Sequence, residues 1–293
     1  MNANIKLALK NALTPDQWEG LREVYFWARR RRDLWIVKSF RKNYLPKFII
    51  IGFPKCGTTA LMRNLLKHPD ISGLENEPRF FTEKHKSLLE YAKQFDPNRI
   101  NGEKTSIYVL QSDFMKRVHE TIPSAKIIIC VRDPVRAMHS FYAHRKNSQI
   151  FGKSYGEEAG RINFERLVLN DLNHELFSNQ TYCYFKHIKE NVLRYFNKKN
   201  IYVVVQERMN KNADDEINKV FKFLGVRPHH DQWIAFKTSD QSGKYGSINY
   251  GTKDYGEAVK KLSRIYGPCN KQLFDFLGQE IEEWKVQDGK DND

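Results

Sequence analysis

No stretch of this 293-residue chain strings together the roughly 20 apolar residues needed to cross a bilayer. The opening residues, MNANIKLALKNALTPDQWEG, hold neither the apolar core nor the small-residue cleavage site of a signal peptide. The expectation is a non-secreted, cytoplasmic chain. The alternative is a Golgi-lumen domain parted from its targeting segment. Cysteine is scarce: Cys56, Cys130, Cys183 and Cys269 stand far apart with no C-x-x-C pair, which excludes the common zinc and dithiol redox motifs. Cys130 ends an apolar run and reads as a small core residue, and Cys56 reads as a loop spacer whose backbone N–H matters. Acidic residues are outnumbered, 35 against 49 Lys and Arg, for a formal charge of +14. Such a balance points to anionic ligands or surfaces: a nucleotide, an acidic glycan, nucleic acid or anionic lipid. No zinc pattern or RNA-recognition aromatic motif accompanies the charge, so nucleic acid is not an expected partner.

What is present reads as strand alternating with helix. KFIII, AKIIICV (125–131) and NIYVVVQE (200–207) are short, continuous apolar runs suited to a parallel sheet covered on both faces. The pattern predicts helices after the first and third runs and from Pro134 onward, with further segments over 84–95, 112–121, 161–176 and 183–197. The fold class expected is α/β: one P-loop-like domain with a central parallel sheet flanked by helices, over 46–285. Residues 1–45 form a helical extension, with Thr14 as N-cap and Pro15 at the first helical position. Its Trp18, Leu21, Tyr25 and Trp35 are expected to form a docking stripe. Its ARRRRDLW block reads as a solvated basic face or, more sharply, as a peripheral contact with a membrane surface or polyanion. The Gly/Ser/Tyr-rich 238–256 is expected to be a long functional loop, and 286–293 a disordered tail.

The densest motif is IIIGFPKCGTTAL, residues 49–61. A buried strand enters a turn with two glycines, a lysine and two threonines, and a helix follows. That arrangement builds an anion nest from backbone N–H groups and a helix N-terminus. Yet Lys55 precedes Gly57, whereas the nucleotide triphosphatase loop sets its lysine after the second glycine. A metal-binding acid is also missing at the second strand, which ends in Val131-Arg132. In VRDPVRAMHSFY, Arg132, Arg136 and Ser140 are spaced by four, a clamp suited to a terminal phosphate. In LENEPRFF, Glu77 sits beside paired aromatics, a setting that can suit a general base.

Together these residues resemble sulfotransferases that use 3′-phosphoadenosine 5′-phosphosulfate (PAPS), nearest to heparan-sulfate-type and related bacterial carbohydrate enzymes. The likeness runs over roughly 46–285. By that resemblance Lys55, Cys56, Gly57, Thr58 and Thr59 hold the 5′-phosphosulfate, and Arg132 and Ser140 hold the 3′-phosphate. ENEPRFF is similar to the stretch carrying the family's catalytic glutamate, here Glu77. EKTSIY is similar to E-K-T-P-x-Y, with Lys104 at the matching lysine and Ser106 where proline is usual. SDQSGKYG falls where the family closes a loop over its cofactor, which implicates Lys244 and Tyr245. The family's second arginine position is Ala137 here, with Arg136 one residue earlier.

The implied reaction is in-line sulfuryl transfer to an acceptor hydroxyl, on a carbohydrate or else on a phenol, lipid or secondary metabolite, with no metal. Glu77 takes the hydroxyl proton, Lys55 and loop N–H groups stabilise charge on the leaving phosphate, and Lys104 steadies the sulfuryl oxygens or positions Glu77. His85 and His139 are the reserve bases. The rival readings are a P-loop kinase and a basic nucleic-acid-binding protein.

Overall fold

The computed structural model describes residues 3–40, 42–146, 164–170, 182–233 and 253–285. At its centre five strands run parallel: β1 (Phe48–Gly52), β2 (Ile71–Leu74), β3 (Ile100–Lys104), β4 (Lys126–Val131) and β5 (Ile201–Val205), in the order β2-β3-β1-β4-β5. β1 pairs in register with β4 from Phe48–Lys126 to Gly52–Cys130, and with β3 from Phe48–Gly102 to Ile50–Lys104. Every residue of β1 is buried, as a strand covered by helices on both faces requires.

Three of these strands match the apolar runs. β2 and β3 do not, because ISGL and INGEK carry almost no hydrophobic signal. β3 is a strand because of where it lies. Its Gly102 sits under the Phe48 ring, where any Cβ would collide, so glycine lets the aromatic side chain cross the sheet at close range. The neighbours Asn101, Glu103 and Lys104 are all buried.

Around the sheet lie α1 (Ala3–Ala12), α2 (Pro15–Phe40), α3 (Thr58–Leu65), α4 (Leu88–Ala92), α5 (Ser112–Thr121), α6 (Pro134–Lys146), α7 (Phe164–Asn170), α8 (Tyr184–His187), α9 (Gln206–Lys211), α10 (Ala213–Leu224) and α11 (Lys253–Leu277). Thr14 caps α2 as expected: Gln17 N–H donates to its Oγ1 at 3.4 Å, and Thr14 N–H donates back to Gln17 Oε1 at 3.1 Å. α5 has the expected bounds. The helix expected over 84–95 shrinks to α4. The one expected over 183–197 is one α turn followed by a π turn, Ile188–Val192. Residues 253–256, read as loop, are the first turn of α11. Residues 238–252, the tail 286–293 and most of 161–176 beyond α7 lie outside the described residues.

α2 is docked on the body: Arg30 donates to the Arg117 carbonyl and to Thr121 Oγ1, and the buried Asp33 accepts from Arg32 and Ser87. The expected stripe along α2 is covered on one edge only. At about 100° per residue, positions 18, 25, 21 and 35 lie in that order across an arc of about 100°. Trp18 at one end is buried and Tyr25 half-buried, whereas Leu21 and Trp35 toward the other end are exposed. A disulfide joins Cys183, which precedes α8, to Cys269 in α11. Partners 86 residues apart leave no local signal in a sequence.

Candidate active site

Ligands of open parallel sheets bind at the carboxyl ends of the strands. Here those ends present, in sheet order, the segment bearing Glu77 after β2, Lys104 at the end of β3, the 53–57 turn after β1 and Arg132 after β4. With neighbouring strands about 4.8 Å apart, the four features span about 14 Å of sheet edge. Residues distant in sequence are thus brought into one row.

The turn after β1 has two residues in the left-handed region, Lys55 (φ 65°) and Gly57 (φ 85°). Gly57 is the N-cap of α3. The first-turn amides of a helix lack intrahelical acceptors and, with the helix dipole, favour an anion. Thr58 is buried and Thr59 exposed at this end. The reading of Cys56 is corrected in part. It is a buried spacer, but its N–H donates to the Phe53 carbonyl at 3.2 Å, closing the turn rather than facing a ligand. Its thiol lies 3.6 Å from the Tyr184 hydroxyl, and burial pushes it up to about 12, so it is no nucleophile.

Arg132 is 6% exposed, and its guanidinium donates to the Lys55 carbonyl at 3.4 Å. This contact joins the two phosphate motifs directly. Tyr184, absent from the sequence-level candidates, donates to the Arg132 carbonyl at 2.7 Å and fixes that end of β4 from below. Asp133 feels the charge of Arg132 but forms no ion pair with it. It accepts from Arg136 N–H at 2.8 Å at the start of α6, while its own N–H donates to Glu207. Ser140 is half-buried farther along α6, and no hydrogen bond joins it to Arg132. Arg136 is exposed.

Lys104 is 6% exposed and donates to Thr59 Oγ1 at 2.8 Å. Burial lowers its pKa, and so too that of Lys55, which Arg132 lowers further. Glu77, half-buried, accepts on Oε1 from Ser106 N–H (3.2 Å) and Ser106 Oγ (2.7 Å), and its Oε2 lies 3.4 Å from Arg79 Nε. Glu77 also interacts electrostatically with Lys104. Behind Lys104, Glu103 is wholly buried between Tyr91 and Tyr108, and burial pushes its carboxyl up to about 8. The two tyrosine hydroxyls favour its charged form, but neither carboxyl oxygen closes a hydrogen bond.

Among the described residues, Lys55, Lys104 and Arg132 form no ion pair with any carboxylate. Buried cations are ordinarily paired. Two buried ones without an ion pair, Lys104 and Arg132, and the half-buried Lys55, around a turn and a helix N-terminus, make a strongly electropositive site. The reserve bases are occupied elsewhere: His85 stacks on Phe26 with centroids 3.9 Å apart, and His139 meets Phe164 edge-on at 4.8 Å. Lys244 and Tyr245 lie outside the described residues.

The model of the sulfotransferase domain family matches residues 45–241 of the chain. The chain is similar to mouse bifunctional heparan sulfate N-deacetylase/N-sulfotransferase 4, with 28% identity over 94% of this chain and 33% of that protein. It is also similar to mouse heparan sulfate glucosamine 3-O-sulfotransferase 6, with 28% identity over 82% of this chain and 74% of that one. It therefore spans a third of the first relative's length and about three quarters of the second's. In fold it resembles the sulfotransferase from Alicyclobacillus acidocaldarius, with a TM-score of 0.62 and 21% identity over 83% of this chain and 99% of that one.

Proposed function

The chain belongs to the sulfotransferase domain family, and from that premise we propose that it moves a sulfuryl group from PAPS to a carbohydrate hydroxyl. The observation that carries the donor assignment is the row of unpaired cations. A donor with phosphate at both ends meets Lys55 and the α3 N-terminus at one end and Arg132, with Ser140, at the other. The residues fit such a group: Arg132 and Lys55 stand close enough to share one ligand, as the 3.4 Å contact between them requires. The donor supplies an activated sulfuryl group. The remaining work falls to the chain's own side chains. Glu77 accepts the acceptor's proton. Lys55 and the loop amides meet negative charge developing beside them. Lys104 stands between Thr59 and Glu77, where it orients both. Fixed donors of this kind act without reorganising, and removing one typically costs on the order of 100-fold or more in rate. The glycan acceptor is inferred from the heparan sulfate relatives and from the basic surface.

The test is calorimetric titration with 3′,5′-adenosine bisphosphate and, in parallel, ADP. The bisphosphate should bind in the micromolar range, ADP at least about 100-fold more weakly, and Arg132→Ala should abolish the difference. Equal binding of the two nucleotides would sink the donor assignment. Glu77→Gln should lose transfer to heparan sulfate while still binding the bisphosphate.

Two further readings concern the chain's surroundings. The Cys183–Cys269 disulfide favours an oxidising compartment over the cytoplasm expected from the sequence. Thiol labelling in cells that make the protein checks this, since four reactive thiols after denaturation would return it to the cytoplasm. In α2, the face opposite the docked side carries Val24, Trp27, Arg31, Trp35 and Lys38. The three apolar members are 62–64% exposed, and Arg31 lies over the Trp27 ring at 5.0 Å. An aromatic and basic face of this kind, lacking acid along its centre, suits a helix lying on an anionic bilayer.

A further inference from the structure

Position 106 is one place where this chain departs from the pattern it otherwise resembles, and that departure falls on the proposed base. Ser106 gives two donors to one oxygen of Glu77, its N–H at 3.2 Å and its hydroxyl at 2.7 Å. Proline, usual at that position, has neither an N–H nor a hydroxyl. We propose that Ser106 is a positioning residue: its two-pronged contact fixes the Glu77 carboxylate in one orientation and leaves Oε2 as the oxygen that takes the acceptor proton. The inference rests on reading Glu77 as the base.

The geometry assigns the two oxygens different work. Oε1 is saturated by Ser106. Among the described residues Oε2 has Arg79 as its partner, at 3.4 Å, and the Arg79 side chain is 61% exposed. That guanidinium is free to move aside for a hydroxyl without unburying anything. The other charges near Glu77 are Lys104 from β3 and, behind it, the buried Glu103. Lys104 is directed to Thr59 at 2.8 Å. Ser106 is therefore the residue that sets the angle of the carboxylate, since two donors on one oxygen define a plane that a single ion pair does not. A proline-bearing site, with neither donor, would leave the same carboxylate looser.

The backbone here can take either residue. Ser106 opens a short 3-10 turn, Ser106–Leu110, a first position that proline tolerates. Thr105 before it is extended, with φ −143° and ψ 100°, as a residue preceding proline must be. The Ser106 N–H goes to Glu77 and not to a backbone carbonyl. Ser106→Pro should thus remove both donors and keep the fold.

The experiment follows the mobility of the Glu77 side chain by 13C relaxation in the full chain labelled at glutamate. The Glu77 resonance is identified by its loss in Glu77→Gln. Thermal unfolding of each variant runs alongside. Ser106→Pro should lower the order of the Glu77 side chain, Ser106→Ala by part of that, and Ser106→Thr should restore it. Turnover with heparan sulfate should fall about ten- to a hundredfold in Ser106→Pro, chiefly in kcat with KM little changed. Unchanged Glu77 order and kcat in Ser106→Pro, with Glu77→Gln inactive, would overturn the proposal and leave the base reading standing. Near-normal turnover in Glu77→Gln would instead overturn the base reading, and the catalytic sense of the proposal with it.

Discussion

A buried carboxyl one residue from a site lysine sets a pH dependence of its own. Glu103 carries no hydrogen bond on either oxygen and has its carboxyl pushed up to about 8 by burial, against an ordinary 4.5. Between those values the folded chain binds a proton there that the unfolded chain has released. Stability must therefore fall as pH rises across that window, with a slope from this one group approaching about 1.4 kcal/mol per pH unit. Below about 4.5 both states hold the proton, and above about 8 neither does, so the contribution is flat outside the window. Glu103→Gln keeps the shape and removes the charge. Urea unfolding at pH 5, 6.5 and 8 should show the variant gaining on the parent as pH rises. Parallel curves for the two proteins would mean that the Glu103 carboxyl is charged throughout. Glu103 could not be weighed in the sequence, because it depends on a strand that the sequence conceals, and Ser106 showed there only as a departure from proline, since its partner Glu77 lies 29 residues away. Lys55, Thr59, Glu77, Lys104 and Arg132, by contrast, fall beside one another in the folded chain as their motifs suggested.

Elements are legible to the extent that their periodicity is not overruled by their neighbours. β1, β4 and β5 announce themselves because a strand buried on both faces must be apolar throughout. β3 hides because its middle is filled by Gly102, under a ring supplied by β1, and its end by two ionisable residues. α2 is legible as a helix by its cap, yet its expected stripe is covered on one edge only. That edge grips the body, and the face beyond the other edge is open. If the open face rests on lipid, the full chain should co-sediment with vesicles of phosphatidylcholine and phosphatidylglycerol, and not with phosphatidylcholine alone. The change Trp27→Ser with Trp35→Ser should cut that binding about tenfold or more, since each side chain removes apolar area worth about 2 kcal/mol or more when buried. Sedimentation unaltered by the double change would dismiss the bilayer. Loss of a dimer, or of heparin binding, in the same variant would assign the face to a second copy or to a sulfated polysaccharide instead.

At the scale of the whole molecule, the charge of +14 and the row of unpaired site cations act together. A field of one sign raises the encounter rate with oppositely charged partners and is screened within about 8–10 Å at physiological salt. A donor carrying phosphate and sulfate is anionic whatever the acceptor is, so donor binding alone does not distinguish the acceptors. The distinction comes from kcat/KM for the acceptor, measured at saturating donor over a range of ionic strength. For an acidic polysaccharide the value should fall about tenfold or more between 50 and 500 mM salt, because attraction over many residues is lost at once. For a neutral saccharide or a phenol it should hardly change, since nothing in the encounter is screened. A flat profile with every acidic polysaccharide tried would leave the positive surface without a part in acceptor capture. The charge would then serve the donor and the face of α2, and the acceptor would be sought among uncharged hydroxyl compounds that reach Glu77 by shape.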